Sequence, residues 1–459
     1  MHPERKDQLD CLFPNMTDPA RNESLAKLTR RLALFLVLVL LFEGLLIAIA
    51  PRFHSGSVIR IAKDSLLLRV GNDSSYYMAQ GDLAWRQHPN AIYETAFFQR
   101  GIRFIYPPTS LLLYRAWQAA RWLHVPPIVA LNAILLLSLI GTMAVAGEFL
   151  LCLLPAQTTI RSTVRERRTV RILVTLLVFV FLPLINAYNL GQVQALLNFL
   201  VMATVLLWLR GSRISPAILI GLTCWLKPQM SLFLLWGLLR RQWSFAISLG
   251  IALIAGFSLS LAVFGWHNTA EYAHVLSYLS RRGDALATNQ SLNGLLHRVM
   301  HVGSPVTWIY GYPPYNRTIY LATLFSSAIT LLLTLVVPML RHIARSTTDF
   351  LLFAMATTMA SPIAWEHHYG VFFLAFLLWM PLASRCWKTF FILLAIYLLM
   401  TDTWAPLTPL MFTRWSFLIS HVYFGGVILF LWTLFALRPG SQLASDSPSP
   451  AEPALPGHM

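Results

Sequence analysis

The stretch "GNDSSYYMAQGD" at residues 71–82 sets two carboxylates, two serine hydroxyls and two adjacent tyrosines just after the first long apolar run of the chain. Asp73 and Tyr77 stand four residues apart and share a face if the segment is helical. Asp64, Asp82 and Glu94 lie in the same loop, which "FIYPP" (104–108) closes with aromatics and a turn. A carboxylate held against a membrane surface suits general-base chemistry, because partial desolvation lifts its pKa toward a working range. An ordinary solvated loop also carries a few acids, and residue types alone leave that reading open.

A second set of polar residues is dispersed. "NLGQVQ" (189–194) opens a helix with amides, Gln192 among them. "WLKPQM" (225–230) puts Lys227 inside an apolar hairpin. "NQSLNGLLHR" (289–298) carries Asn289, Gln290 and Arg298, and "SPIAWEHHYG" (361–370) carries Glu366, His367 and His368. A lysine within a membrane costs roughly 2.5–3.5 kcal/mol at a helix centre, so it marks a functional site, with an anion such as phosphate as its simplest partner. The competing reading is a lysine snorkelling to an interface. The adjacent histidines would point about 100° apart on a helix. That favours a substrate-bonding or internally satisfied role over a metal site, and no metal or cofactor is expected.

The elements that must position these groups are membrane helices. The chain is 56% hydrophobic and 12% charged, against about 25% charged in soluble domains, and apolar runs recur along nearly all of it. The expected fold is an all-α, polytopic transmembrane bundle. Crossings are read at 32–50, 128–153, 171–189, 192–209, 244–266, 318–338, 349–365, 370–384, 389–401 and 416–437, with a shorter pair inside 214–239, about twelve in all. The 214–239 pair is expected to be two short helices broken at Pro228, dipping from one face. "YPPTSLLLYRAWQAARWL" (106–123) is expected to lie at the interface or to insert only in part.

The formal net charge of +16 first suggests nucleic acid. Its arginines, however, sit in short clusters between apolar runs, "RSTVRERRTVR" (161–171), "RGSR" (210–213), "RRQW" (240–243), "RHIAR" (341–345) and "SRCWK" (384–388). That is the positive-inside pattern, so nucleic acid is not expected as a partner. It puts loops 51–127 and 266–317 on the outer face. Residues 1–31 are expected as a cytoplasmic segment, 32–437 as one membrane domain whose first helix is an uncleaved signal anchor, and the Pro/Ser/Ala-rich 438–459 as a disordered tail. The cysteines, Cys11, Cys152, Cys224 and Cys386, show no metal-ligand spacing. No Walker loop, dinucleotide glycine fingerprint or HExxH is present.

The order of these motifs resembles glycosyltransferase family 87: an outer-loop aspartate ahead of "YY", then "YPP", "GQ", "LKPQ" followed by "RRQW", "NQSLNGLLHR" and "SPIAWEHH". Each is weak alone, and the set in order is fairly specific. The resemblance implies a GT-C-fold enzyme of the inner (plasma) membrane working at its outer face. It would move a hexose, mannose favoured, from a polyprenyl-phosphate donor to a hydroxyl of a glycolipid or glycan by an inverting displacement. It implies Asp73 as general base, with Asp64 leaving that assignment open, and Lys227 on the donor phosphate. Gln192, Asn289, Gln290 and His367 or His368 fall around the sugar or phosphate. Ser74 departs from the apolar residue expected after the aspartate. The growing charge on the leaving phosphate needs only a compensating cation, Lys227 or an arginine such as Arg281, Arg282 or Arg298. Tyrosines and tryptophans at the interface, Tyr77 among them, would hold the sugar and flank the lipid. The rival readings are a transporter or flippase for a lipid-linked or sugar substrate, which predicts pseudo-symmetric halves, and a non-catalytic scaffold.

Overall fold

A computed structural model describes residues 25–49, 57–119, 125–305, 312–401 and 405–436. Most of the expected N-terminal segment, the 438–459 tail and Cys11 lie outside these residues. Helix α1 (Leu25–Ile49) is followed by α2 (Val58–Leu66), α3 (Asp73–Gln87), a π-turn at Glu94–Gln99 and α4 (Ser110–Ala119). Next come α5 (Pro127–Cys152), α6 (Ala156–Arg161), α7 (Val164–Phe179), α8 (Leu182–Asn189), α9 (Gln194–Leu209), α10 (Ile214–Cys224) and α11 (Leu232–Leu239). The chain continues through α12 (Trp243–Arg282), α13 (Leu292–Val299), α14 (Arg317–Leu340), α15 (Thr347–Met359), α16 (Phe372–Ala383), α17 (Trp387–Thr401) and α18 (His421–Ala436). No β-strand occurs among the described residues; an isolated antiparallel bridge joins Asn289 to Trp365. The fold is an all-α polytopic membrane bundle.

Among the described residues, five helices are long and apolar enough to cross a membrane: α1, α5, α12, α14 and the stretch Ser416–Ala436. The number rises to seven if α7 with α8, bent by 66°, and α17 with Pro406–Phe412, bent by 63°, each form one span. The twelve or so crossings read from hydropathy are therefore not reached by length. The missing ones are short: α9 has 16 residues, α10 has 11, α11 has 8, α15 has 13 and α16 has 12. At about 1.5 Å per residue none spans a ~30 Å hydrocarbon layer alone.

The four shortest, α10, α11, α15 and α16, pair into two hairpins that start from the same end of the bundle. That end collects the basic connections. Glu148 of α5 binds Arg171 (2.7 Å) and Arg210 (3.2 Å), the Trp208 indole donates to the Arg345 carbonyl, and Arg31 stacks on Trp387 at the start of α17. Arg240, closing the α10–α11 hairpin, is fully buried against Asp349 at the start of α15, with Nε to Oδ2 at 2.7 Å and Nη2 to Oδ1 at 3.0 Å. The α10–α11 hairpin turns at Lys227-Pro228 as expected, and it packs so closely on α12 that Gly221 has no room for a side chain beside Ala252. The second hairpin, α15–α16, turns through residues 360–371. Its Thr357 hydroxyl meets Met230 Sδ of the first at 3.6 Å, so the two tips touch.

Over these tips sits a second apolar cluster, separate from the main core, built on Tyr93, Phe97, Phe104, Phe264, Tyr272 and Trp365. Helix α12 reaches it because its 40 residues continue beyond the bundle, bending at Gly265, where φ is +76°. In the described part of 106–123, α4 stays at this end: Thr109 donates to the Trp225 carbonyl, and Arg115 lies against Asp82 (3.4 Å) and the Trp85 ring. It does not cross.

Candidate active site

Asp73 is the first residue of α3, and its place is set by main chain. Gly71 N–H donates to the Asn189 carbonyl (2.7 Å), Asp73 N–H to Leu190 (3.2 Å) and Ser74 N–H to Gly191 (3.3 Å). The start of α3 is thus sewn to the α8–α9 junction. Two glycines allow the approach: a Cβ on Gly191, whose φ is +67°, would sit 2.2 Å from the Gly71 oxygen, and one on Gly71 would sit 2.7 Å from the Leu190 oxygen. These are distances no side chain tolerates, and the left-handed φ independently favours glycine.

Gln192 then reaches the acid, its Nε2 donating to Asp73 Oδ2 at 3.0 Å. An ionised Asp73 favours this orientation of the amide, since the reverse would set two acceptor oxygens against each other. Its Oε1 accepts from the Ser74 hydroxyl (3.1 Å) and the Tyr106 phenol (3.1 Å), while Ser74 accepts from Val193 N–H (2.7 Å). Burial pushes the Tyr106 phenol up, with the neighbouring Asp73 adding to it, so it stays protonated and donates. Burial raises the Asp73 pKa above its ordinary value, and the Gln192 bond pulls partly against that. A half-buried carboxylate with a raised pKa and one hydrogen-bond donor is what a general base requires.

Below this rim lies a cavity of about 570 Å³ whose wall includes Tyr106, Gln192, Gln194, Lys227, Trp365 and His368. Lys227 Nζ donates to Gln194 Oε1 at 2.6 Å, which uses one of its three donors. Gln194 is held in turn by donating to Asn198 (2.8 Å), and Asn198 donates to the His367 carbonyl (3.2 Å). The remainder of the wall is largely aliphatic, with Leu197, Leu226, Leu232, Leu276, Leu279 and Leu331. The wall thus combines one cation and several amides and hydroxyls with a run of leucines.

Of the expected site residues, Gln192, Lys227 and His368 line this cavity, whereas Asp73 is not part of its wall and is tied to it through the bond to Gln192; Tyr77 lies on α3 against Tyr76, 5.3 Å between rings. Asn289, Gln290 and Arg298 are not brought to the wall. Asn289 is fully buried, donating to the carbonyls of Asp284 and Pro362 and accepting from Ala364 N–H. Gln290 is consumed by Ala287, Ile419 and Tyr423. The Arg298 guanidinium clasps the carbonyls of Leu286 and Asn289 and the Ser420 hydroxyl, and burial pushes its pKa down to about 10, leaving it charged at neutral pH. Asn289 thus staples the loop after α12 to the tip of the second hairpin, while Gln290 and Arg298 tie it to residues 419–423 at the start of α18. The His367 and His368 rings meet edge to face at 4.9 Å, but only His368 lines the cavity. Asp64 faces Arg60 (3.6 Å) and Arg69 (3.7 Å), away from this wall. Arg281 and Arg282 close α12, and Arg282 stacks on Tyr278. Among the described residues no three of His, Cys, Asp and Glu gather as metal ligands.

Sequence reading missed Ser74, Tyr106 and Gln194 as parts of the site. Tyr106 and Gln194 lay inside quoted motifs, and Ser74 stood out only as a departure from a pattern. Its polar side chain is what fixes Gln192.

Fold and site together define a helical membrane protein whose cavity is walled by a lysine, amides and aliphatic side chains. The chain belongs to glycosyltransferase family 87, whose family model matches residues 104–362, more than half of it. That match includes Gln192 and Lys227; Asp73, Tyr77, His367 and His368 fall outside it. Two similar proteins are each named a polyprenol-phosphate-mannose-dependent alpha-(1-2)-phosphatidylinositol mannoside mannosyltransferase. One, from Mycobacterium tuberculosis, is 26% identical over 285 residues, 58% of this chain and 59% of its own length. The other, from Mycolicibacterium smegmatis, is 27% identical over 325 residues, 67% of this chain and 68% of its own.

Proposed function

We propose that this chain is a membrane glycosyltransferase that moves a hexose, mannose favoured, from a polyprenyl-phosphate donor to a hydroxyl of a glycolipid. The observation that carries the reading is a cavity with a carboxylate tied to its wall through Gln192, a lysine at a hairpin tip in that wall and several leucines among the remaining lining. Family membership and the printed names of the two relatives support the donor and acceptor classes. The basic clusters gathered at the opposite end support an outer-face site under the positive-inside rule.

In this reading the acceptor oxygen attacks the anomeric carbon and its proton passes to Asp73. The bond from that carbon to the phosphate oxygen breaks, and the electron pair leaves on the polyprenyl phosphate. A single displacement inverts the anomeric centre. The ammonium of Lys227 offsets the charge that grows on the phosphate, while His368 and Gln194 line the same wall. The polyprenyl chain lies along the leucines.

The test is transfer from a radiolabelled polyprenyl-phosphate mannose in proteoliposomes. Asp73→Asn should lose about 10²–10⁴-fold, the usual worth of a general base. Unchanged transfer by that variant removes Asp73 as base. Movement of the lipid-linked sugar across the bilayer with no transfer by the wild type replaces the transferase with a carrier.

A further inference from the structure

Helix α2 carries a feature the reaction above does not use. It buries Val58, Ile61, Ala62 and Ser65, the i, i+3, i+4, i+7 set, on the side where it packs against α8. Its other side, with Arg69 just beyond its end, lines a depression of about 320 Å³ formed by Ile59, Arg60, Lys63, Asp64 and Arg69. Three cations share this depression with one carboxylate. Asp64 lies 3.6 Å from Arg60 and 3.7 Å from Arg69, long for charge-assisted hydrogen bonds, so it spaces the guanidiniums without neutralising the set. Immediately alongside, Leu66, Leu67 and Leu68 are 67%, 52% and 65% exposed, and Leu68 holds a left-handed φ of 55°. Three consecutive bare leucines next to a cationic hollow are costly in water and ordinary at a bilayer surface, where leucines dip among acyl chains and cations meet anionic head groups.

We infer that this hollow binds the phosphodiester of an anionic lipid, and that the lipid held there is the glycosyl acceptor. The second clause rests on the transferase reading. The geometry ties the hollow to the catalytic rim. Asn189 donates its side-chain amide to the Arg69 carbonyl (3.3 Å), and the same Asn189 offers its own carbonyl to Gly71 N–H. Arg69 is four residues from Asp73, at most about 14 Å of extended chain. A lipid whose phosphate rests on Arg60, Lys63 and Arg69 therefore presents its sugar headgroup toward Asp73, while the donor phosphate is met separately by Lys227. Guanidinium pairs suit this ligand because their forked donors match phosphate oxygens.

The test uses the full-length chain and the triple variant Arg60→Gln, Lys63→Gln, Arg69→Gln. After purification in detergent, the wild type should retain phosphatidylinositol or phosphatidylglycerol over phosphatidylcholine. The variant should lose that preference by on the order of 10- to 100-fold, the combined worth of three surface cations. Equal retention by both overturns the site whether or not the chain transfers sugar. Displacement of the anionic lipid by millimolar inorganic phosphate would show a site for free phosphate and overturn the lipid assignment. In transfer assays the variant's KM should rise about tenfold or more for an acceptor glycan on a phosphodiester lipid. Its kcat, its donor KM and its KM for the same glycan on a neutral alkyl chain should stay as in the wild type. An equal rise for both acceptors overturns the acceptor role. Absence of transfer by the wild type with any donor rejects the transferase reading and leaves the lipid-retention result to stand or fall alone.

Discussion

At the scale of single residues, the site turns on how burial and hydrogen bonding set one carboxylate. Burial raises the Asp73 pKa and Gln192 partly opposes it, so the acid limb of the transfer rate should lie above the ordinary aspartate range. Gln192→Leu should move that limb further up in pH, because it deletes the contribution that favours the ionised form; an unmoved limb would detach Gln192 from the base. The sign for stability follows the same linkage. A group whose folded pKa is raised contributes most below its unfolded pKa and loses that contribution as pH rises through the folded value. Asp73→Asn should therefore match or exceed the wild-type thermal midpoint at neutral pH while transfer collapses. Lys227→Met should cost about 10²–10³-fold in kcat/KM, the scale of one removed transition-state donor. Lys227→Arg should recover only part, since a planar fork replaces a point charge bonded to Gln194. Full activity in Lys227→Met would remove it from the phosphate.

At the scale of elements, the decisive joint is the backbone seam between residues 71–74 and 189–191. Gly191→Ala should lower transfer by at least about tenfold, as small displacements of reacting groups do, with a loss of about 1–3 kcal/mol from strained backbone. Activity and thermal melting measured side by side check it; wild-type values for both would mean the seam does not position the base. Sequence reading reached much of this level. The Lys-Pro break and the short hairpin around it followed from local rules about proline and apolar length. The seam itself was not legible: glycine at 71 and 191 signals freedom of backbone, but which two loops meet is a tertiary fact. The surroundings of Asn289, Gln290 and Arg298 were not legible for a related reason. Amides and arginines in a loop between membrane helices suit a substrate and a scaffold equally, and only the carbonyls around them show which they serve.

At the scale of the whole molecule, two broken hairpins start from a basic end and meet at their tips beside the cavity, and Arg240 with Asp349 locks their bases together. Arg240→Met should destabilise the fold by about 3–5 kcal/mol, since it strands a buried carboxylate, whereas pairing it with Asp349→Leu should restore much of the loss. Thermal midpoints in one detergent check both, and a double variant no better than the single one would contradict the lock. Charge clustering made this end visible in sequence. The number of crossings was less visible, because hydropathy reports apolar length and not whether a short helix turns back inside the protein.

The main-chain stitching of Asp73 has one more consequence. Lengthening its side chain by a single methylene, in Asp73→Glu, displaces the carboxylate by about one carbon–carbon bond, ~1.5 Å, and the stitched loop has no slack to absorb it. The chain holds its acid like a caliper with a soldered hinge, so the conservative exchange that keeps the charge should be nearly as harmful as the one that removes it.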